Sequence, residues 1–333
     1  MLRKSLLLLV ATAALLVVFM SPAAAQSDTY EQFRQLEIKS GGTLGVWALH
    51  VETGQHIGFR ENEFFPMASV YKVPIGIYYL NQVFLGRHKL TDTIRVTKDL
   101  LAPEHSLLTR RWKSDGDFTI THGALLEQMV SLSDNTACDI LLGLVGGTEN
   151  VMRYFSSSGL RGFSINRTEK QMGKDYLLAS SSKFKAYNGI EIDSVLETLS
   201  REDEQLIVRR YLNNRRDVST PEGMGQLLLR LHRRTLPGFT DYPRMLRLME
   251  DTPFGQNRIK AGLPGGSRIA HKTGGHRTLA GVNIATNDAG IATLPDGSHI
   301  IIVVFLKGST CGHEVAERVI AETTSAVIKA IGG

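Results

Sequence analysis

Ser69 stands three residues before Lys72 in the stretch "FFPMASVYKVPIG". A lysine in so apolar a segment is costly to bury unless it is paired or chemically used. A serine at a helix start lies near unpaired backbone N–H groups and the positive end of the helix dipole. One turn on, a lysine lies on the same face, close enough to take the hydroxyl proton once its own ammonium has lost one. The pair therefore reads as a nucleophile and its base, suited to acyl transfer. Two further short motifs follow in the chain: Ser133-Asp134-Asn135 and Lys272-Thr273-Gly274. Ser133 can pass a proton to a leaving nitrogen, Asn135 can offer an amide to a carbonyl, and Lys272 supplies a fixed positive charge. Gly274 and Gly275 let a substrate lie along a strand without a side chain in the way. The backbone N–H groups of Ser69 and Gly275 would form an oxyanion hole, where losing one donor typically costs about 3 kcal/mol of transition-state stabilisation.

These residues need a frame. "TYEQFRQLEIKS" reads as an amphipathic N-terminal helix, and "GTLGVWALHVETGQHIGFRE" as a hairpin turning at Glu52-Thr53-Gly54. From Ser69 to about Leu85 the pattern is helical. "TITHGALLEQMVSLSDN" and "TACDILLGLVGG" read as further helices, the second stopped by Gly146-Gly147. Strands return in "SRIAHKTGG", "LAGVNIATNDAGIATL" and "HIIIVVFLKG", before a last helix in "EVAERVIAETTSAVIKAIGG". Strands from both chain ends bracket a helical middle and must pair in a mainly antiparallel sheet. The fold class is α/β with two lobes: helices on a sheet from about 26–65 and 250–333, and an all-helical lobe over about 66–249. The groove between the lobes is the natural place for a site.

The order S-x-x-K, S-D-N, K-T-G is a far stronger signal than any one motif. With "SDNTACDILL" followed by "VGG", "PEHSLL" at 103–108, "STPEGMGQLL" at 219–228 and "IAHKTGG" with "ATNDAGIATLPDG", the chain resembles the class A serine β-lactamases. The "T-E-x-x-M" and "A-H-K-T-G" stretches are similar to one subgroup of that family. The likeness implies a single β-lactamase-like domain over 26–333 with a five-stranded sheet, and hydrolysis of β-lactams through an acyl-enzyme on Ser69. It implies catalytic roles for Ser69, Lys72, Ser133, Lys272 and Glu169, with either Lys72 or Glu169 through a water as the base that activates Ser69, and Glu169, the acid of "NRTEKQMG", placed to activate the deacylating water. It implies substrate contacts from Asn135, Thr273, Gly274 and Gly275. Arg258, one residue before "IKAGLP", would help Lys272 hold a substrate carboxylate, and His105 would flank the entrance with His276 and Arg277. His271, facing away from Lys272, reads as a packing or capping residue. Two rivals stand beside this reading: a D,D-peptidase or slow-deacylating penicillin-binding enzyme, and a non-catalytic binding module on the same scaffold.

The sequence departs from the family pattern in two places. Gly173 stands four residues after Glu169, where many relatives carry a water-holding asparagine. The Ω loop that begins at Arg167 finds its best closing aspartate only at Asp217, with Asp175 and Asp193 as alternatives. The intervening "GIEIDSVLETLSREDEQLIVRRYLNN" is strongly helical and reads as an inserted segment over about 177–213.

The first residues, with Arg3 and Lys4, an apolar run from Leu6 to Met20 and Ala23-Ala24-Ala25, read as a signal peptide over 1–25. A periplasmic or secreted monomer follows, with a small-molecule β-lactam as partner and no membrane attachment after cleavage. A net charge of +5 with scattered basic residues does not argue for nucleic acid. Cys138, in an apolar helix, reads as a free buried thiol. No Cys/His pair has zinc-ligand spacing, so neither a metal nor a cofactor is expected.

Overall fold

The computed structural model describes residues 22–180 and 185–332. The charged start and apolar run assigned to a signal peptide lie outside the described residues, as does part of the inserted segment. Five long strands form one antiparallel sheet in the order His56–Phe59, Thr43–His50, His299–Ser309, Val282–Thr293, Arg268–Gly275. A two-residue sixth strand, Thr278–Leu279, pairs with Val282–Thr293.

Both faces of this sheet are covered, which explains why its central strand reads as an unbroken apolar run. Along His299–Ser309 the side chains alternate between two cores. Ile300, Ile302, Val304 and Leu306 pack under the N-terminal helix Pro22–Ser40 and the C-terminal helix His313–Ile331. Ile301, Val303 and Phe305 face the helical lobe. A one-residue slip would exchange the two sets, so the register is strongly specified.

The helix Lys72–Phe84 runs through the middle of the helical lobe and is buried almost all round, from Lys72 to Gln82. At Gly76 an added Cβ would lie 3.1 Å from Val130, so the absence of a side chain sets how closely the helices pack. Thr119–Thr121, the start of an expected helix, belongs instead to a strand, Phe118–Thr121, paired with Thr93–Val96. Its β-branched residues suit that edge, and the helix proper, His122–Val130, starts only after Thr121 caps it by accepting from the Ala124 N–H.

The inserted segment forms two helices, Glu191–Leu196 and Arg201–Leu212. With the helix Glu169–Ser180 they build a third core, in which Tyr176, Ile192, Ile207 and Tyr211 pack on Leu279, Ile284 and Ala285 of the sheet. The insertion is thus fastened to the sheet by apolar burial and does not hang as a free flap.

Candidate active site

Ser69 lies on one turn of 3₁₀ helix, Ala68–Tyr71, that leads directly into Lys72–Phe84. Ala68 has φ +47°, a left-handed conformation that turns the chain sharply just before the serine. Gly274 explains how the last sheet strand comes so near this turn. A Cβ there would sit 2.6 Å from the Met67 carbonyl oxygen and 3.2 Å from Ala68 Cβ. Gly275 meets nothing within 4 Å, so its missing side chain leaves open space. Of the two glycines, Gly274 is required by packing against the serine turn.

Lys72 is fully buried and its ammonium faces four oxygens. Nζ donates to Ser69 Oγ at 3.1 Å, to the Ser133 carbonyl at 2.8 Å and to Asn135 Oδ1 at 2.6 Å, and lies 3.1 Å from Glu169 Oε1. Three N–H bonds shared among four acceptors hold the amine in place, and Glu169 balances its charge. Lys272, also fully buried, donates to Ser133 Oγ at 2.9 Å and to its neighbour Thr273's carbonyl at 3.2 Å. Burial, reinforced by the nearby positive charge of Lys72, holds the Lys272 ammonium well below the usual lysine range. Ser133 sits at φ +60°, and that left-handed turn presents its carbonyl to Lys72 and its hydroxyl to Lys272.

Asp134 has a structural task. Its carboxylate caps the helix Asn135–Leu144 through the Ala137 N–H at 2.8 Å and also accepts from the Leu108 N–H and the Ser106 hydroxyl. The gate segment 103–108 is thereby tied to the central helix. Asn135 Nδ2 donates to the Pro103 carbonyl at 2.9 Å, adding a second tie.

Asp139 is the site residue that sequence reasoning missed. It lies four residues after Asn135, hence on the same helix face, and that spacing was the available signal. Its two oxygens accept from the backbone N–H groups of Glu169 at 2.6 Å and Lys170 at 3.0 Å, and so fix the start of the helix Glu169–Ser180. Burial, with the adjacent Glu169 charge, pushes the Asp139 carboxyl up to about 7.

Closure of the Ω loop is shared. Arg167 Nε pairs with Asp217 Oδ2 at 2.6 Å and Nη1 with Asp175 Oδ2 at 3.1 Å. Asp193 is engaged elsewhere, accepting from the Glu104 N–H. Gly173 lets the gate segment close down on the Glu169 helix, since a Cβ there would lie 2.9 Å from Pro103 Cγ.

The remaining expected residues form the walls of the cleft. Its two halves, one toward Glu169 and one toward Lys272's neighbour Thr273, meet at Ser69, His105 and Gly275. His105, half-buried, is held by the Leu132 carbonyl at 2.9 Å from Nε2 and by an edge contact with Phe254. Arg258 is buried at the cleft's edge. Its Nη1 donates to the Gly274 and Asn287 carbonyls and its Nε to Glu317. Arg277 pairs with Glu104 at 3.4 Å across the mouth. His276 is bonded to the Tyr211 hydroxyl at 2.8 Å and stacked on Tyr176, and burial pushes its imidazole down to about 4. His271 pairs with the fully buried Asp288 at 2.8 Å on the opposite side of the strand. Cys138 is a free buried thiol beside the Tyr71 hydroxyl, and Cys311 is also free.

Residues 28–331 match the model of the beta-lactamase enzyme family. The extended-spectrum beta-lactamase PER-1 of Pseudomonas aeruginosa is 30% identical over 315 residues, spanning 94% of this chain and 91% of that protein. Among solved structures, a beta-lactamase from Chitinophaga pinensis superposes with a TM-score of 0.73 at 31% identity, covering 90% of this chain and 98% of that one. The TLA-1 extended-spectrum beta-lactamase superposes with a TM-score of 0.76 at 27% identity, covering 93% and 100%. With an ancestral class A beta-lactamase also superposing over 91% of the chain, the protein belongs to the beta-lactamase enzyme family, as a class A member.

Proposed function

We propose that this chain is an exported serine β-lactamase that opens the β-lactam ring through an acyl-enzyme on Ser69. One observation carries the reading: Lys72 Nζ lies 3.1 Å from both Ser69 Oγ and Glu169 Oε1. The Ser69 proton leaves to the Lys72–Glu169 couple as its oxygen attacks the lactam carbonyl. The Ser69 and Gly275 N–H groups stabilise the oxyanion. As the lactam C–N bond breaks, Ser133 gives its proton to the nitrogen and regains one from the Lys72–Glu169 couple, its oxygen steadied by Lys272 at 2.9 Å. Glu169 then takes a proton from water, which attacks the ester, and that proton passes to Ser69 Oγ as the acyl bond breaks. Thr273, Asn135 and Arg258 orient the substrate, Arg258 and Lys272 attracting its carboxylate, and His105 shapes the entrance. The enzyme works as a periplasmic or secreted monomer without a cofactor.

Ser69→Ala abolishes nitrocefin hydrolysis in this reading, and undiminished turnover by that variant would sink it. Gly173 favours a second reading, slow release of the acyl group, because no side chain there can hold the deacylating water. Mass spectrometry after mixing with penicillin separates the two. Rapid return to free enzyme supports the lactamase, whereas a lasting adduct supports the penicillin-binding enzyme. Failure of a fluorescent penicillin to label the chain would point to a non-catalytic module.

A further inference from the structure

Outside the cleft, three potential metal ligands converge from two segments of the chain. The ligand atoms of His88, Asp92 and His122 all lie within 4.8 Å of one another. His88 and Asp92 belong to the turn region that follows the helix Lys72–Phe84, and His122 is the first residue of the helix His122–Val130. The turn is locked against that helix start by the His122 N–H donating to the Asp92 carbonyl and the Gly123 N–H to the Leu90 carbonyl, both at 2.8 Å. Gly123 allows this approach, since a Cβ there would sit 3.2 Å from the Leu90 oxygen.

Two of the three ligands, His122 and Asp92, already have a hydrogen-bond partner of the kind that orients metal ligands elsewhere, and His88 is placed by ring stacking. His122 Nδ1 is bonded to the buried Tyr79 hydroxyl at 2.8 Å, which leaves Nε2 as the ring nitrogen free to take a metal. Asp92 Oδ2 accepts from the Lys89 N–H at 2.8 Å, which leaves Oδ1. The His88 ring is stacked on the Tyr79 ring, with 5.7 Å between centroids and 19° between planes. The His88 and His122 rings meet edge-on, with centroids 6.0 Å apart and 60° between planes. Tetrahedral zinc at about 2.0–2.1 Å from each donor needs donors roughly 3.4 Å apart, so ligand atoms that lie within 4.8 Å of one another close inward by at most about 1.4 Å. Neither His88 nor Asp92 is buried, so side-chain rotation can supply that movement.

We propose that His88, Asp92 and His122 form a binding site for a divalent transition metal, with Zn²⁺ the best fit. Two imidazoles and one carboxylate are borderline donors that suit zinc over calcium or magnesium. Three protein ligands leave a fourth position to water. Spacing along the sequence could not reveal the site, because His122 comes from a segment remote from the other two. Bound metal would tie the end of the helix that begins with Lys72 to the start of the helix His122–Val130.

The test uses the full-length protein. After chelator treatment it is titrated with Zn²⁺ by calorimetry and with Co²⁺ by visible absorption. One equivalent of Zn²⁺ binds, Co²⁺ gives the intense ligand-field bands of a four-coordinate site, and the melting temperature rises by several degrees at saturating metal. His88→Ala and Asp92→Asn each weaken binding by at least about tenfold and abolish the Co²⁺ bands, while Tyr79→Phe weakens it about tenfold or more through His122. Circular dichroism and unaltered melting without metal establish that the His88 and Asp92 variants fold. No saturable binding to the wild type would overturn the proposal. Binding that is unchanged in His88→Ala and Asp92→Asn would equally overturn it, since the metal would then sit elsewhere.

Discussion

Arg167 Nε and Asp217 Oδ2 lie 2.6 Å apart, although 50 residues separate them in the chain. Asp217 Oδ1 also accepts from the Asn166 and Arg167 N–H groups, so one carboxylate closes both ends of the enlarged loop. Asp217 adopts φ +55° to do so. Among the described residues, the buried Arg167 Nη2 has no hydrogen-bond partner, so this guanidinium has little in reserve. Asp217→Ala leaves the arginine buried with Asp175 as its remaining ionic partner, and breaking a buried pair from one side typically costs about 3–5 kcal/mol. Urea unfolding should show a loss of that order, with limited proteolysis faster in the inserted segment. A loss below about 1 kcal/mol would mean that the insertion's packing, not this pair, closes the loop.

The Lys72–Glu169 contact separates two chemical steps. Glu169→Gln keeps the side-chain volume but removes the acceptor for a water proton. Lys72 alone remains within 3.1 Å of Ser69, so acylation slows but continues, whereas hydrolysis of the ester fails. The expected loss in kcat is about 10²–10⁴-fold, the usual worth of a positioned general base. Intact-mass measurement after a penicillin pulse should find the chain quantitatively acylated. A variant that turns over without accumulating an adduct would remove Glu169 from deacylation.

Asp139 makes stability depend on pH with a definite sign. Its carboxyl titrates near about 7 in the folded chain, against the ordinary 3.8. The folded state therefore holds a proton that the unfolded state has lost between those values. The stabilisation is complete below the unfolded value and is lost as pH rises through about 7. Asp139→Asn cannot titrate, so wild type should lose stability relative to the variant between pH 4 and 7, by on the order of 2–4 kcal/mol. Urea midpoints of both proteins across that range give the difference directly. A pH-independent difference would refute the assignment.

His276 runs the other way. Its imidazole titrates near about 4, below the ordinary 6.5, mainly through burial and then the Arg167 charge. The stability it contributes is present above 6.5 and lost as pH falls through about 4. The ring therefore stays neutral over the working range and keeps its bond to Tyr211. Histidine NMR should show one ring without protonation between pH 5 and 8, absent in His276→Gln. Protonation of that ring near 6.5 would show that the Tyr176–Tyr211 packing does not exclude water from it.

Much of this architecture was legible in the sequence because apolar periodicity and turn residues are local signals. The hairpin around Glu52-Thr53-Gly54, the three C-terminal strands and the last helix follow from patterns within each segment. The convergence of Ser69, Lys72, Ser133 and Lys272 was legible through the order of three motifs, not through their spacing. What was not legible depends on contacts between distant segments. Phe118–Thr121 is a strand because Thr93–Val96 pairs with it, and no pattern inside "TITHGALL" announces a partner. Asp139 matters because the start of the Glu169 helix docks on it. Tyr211 matters because the insertion folds back on the sheet edge beside His276.

Gly173 offers the sharpest test of how the altered loop works. It lies inside the helix Glu169–Ser180, where alanine is favoured over glycine by about 1 kcal/mol. Against that gain, a Cβ at this position meets Pro103 Cγ at 2.9 Å and Ile192 Cδ1 at 3.4 Å. Overpacking of this kind costs about 1–3 kcal/mol. The clash should prevail, so Gly173→Ala loses up to about 2 kcal/mol in urea unfolding. Pro103 must yield, because Ile192 is held in the insertion's own core. The Pro103 carbonyl is also the acceptor for Asn135 Nδ2, whose Oδ1 holds Lys72. Movement of the gate segment thus reaches the lysine beside the nucleophile, and the acylation rate should fall along with stability. Stopped-flow acylation measured beside the unfolding curve distinguishes the outcomes. A variant that is more stable and acylates at the wild-type rate would show that the gate segment yields freely and that Gly173 is not what holds it against the Glu169 helix.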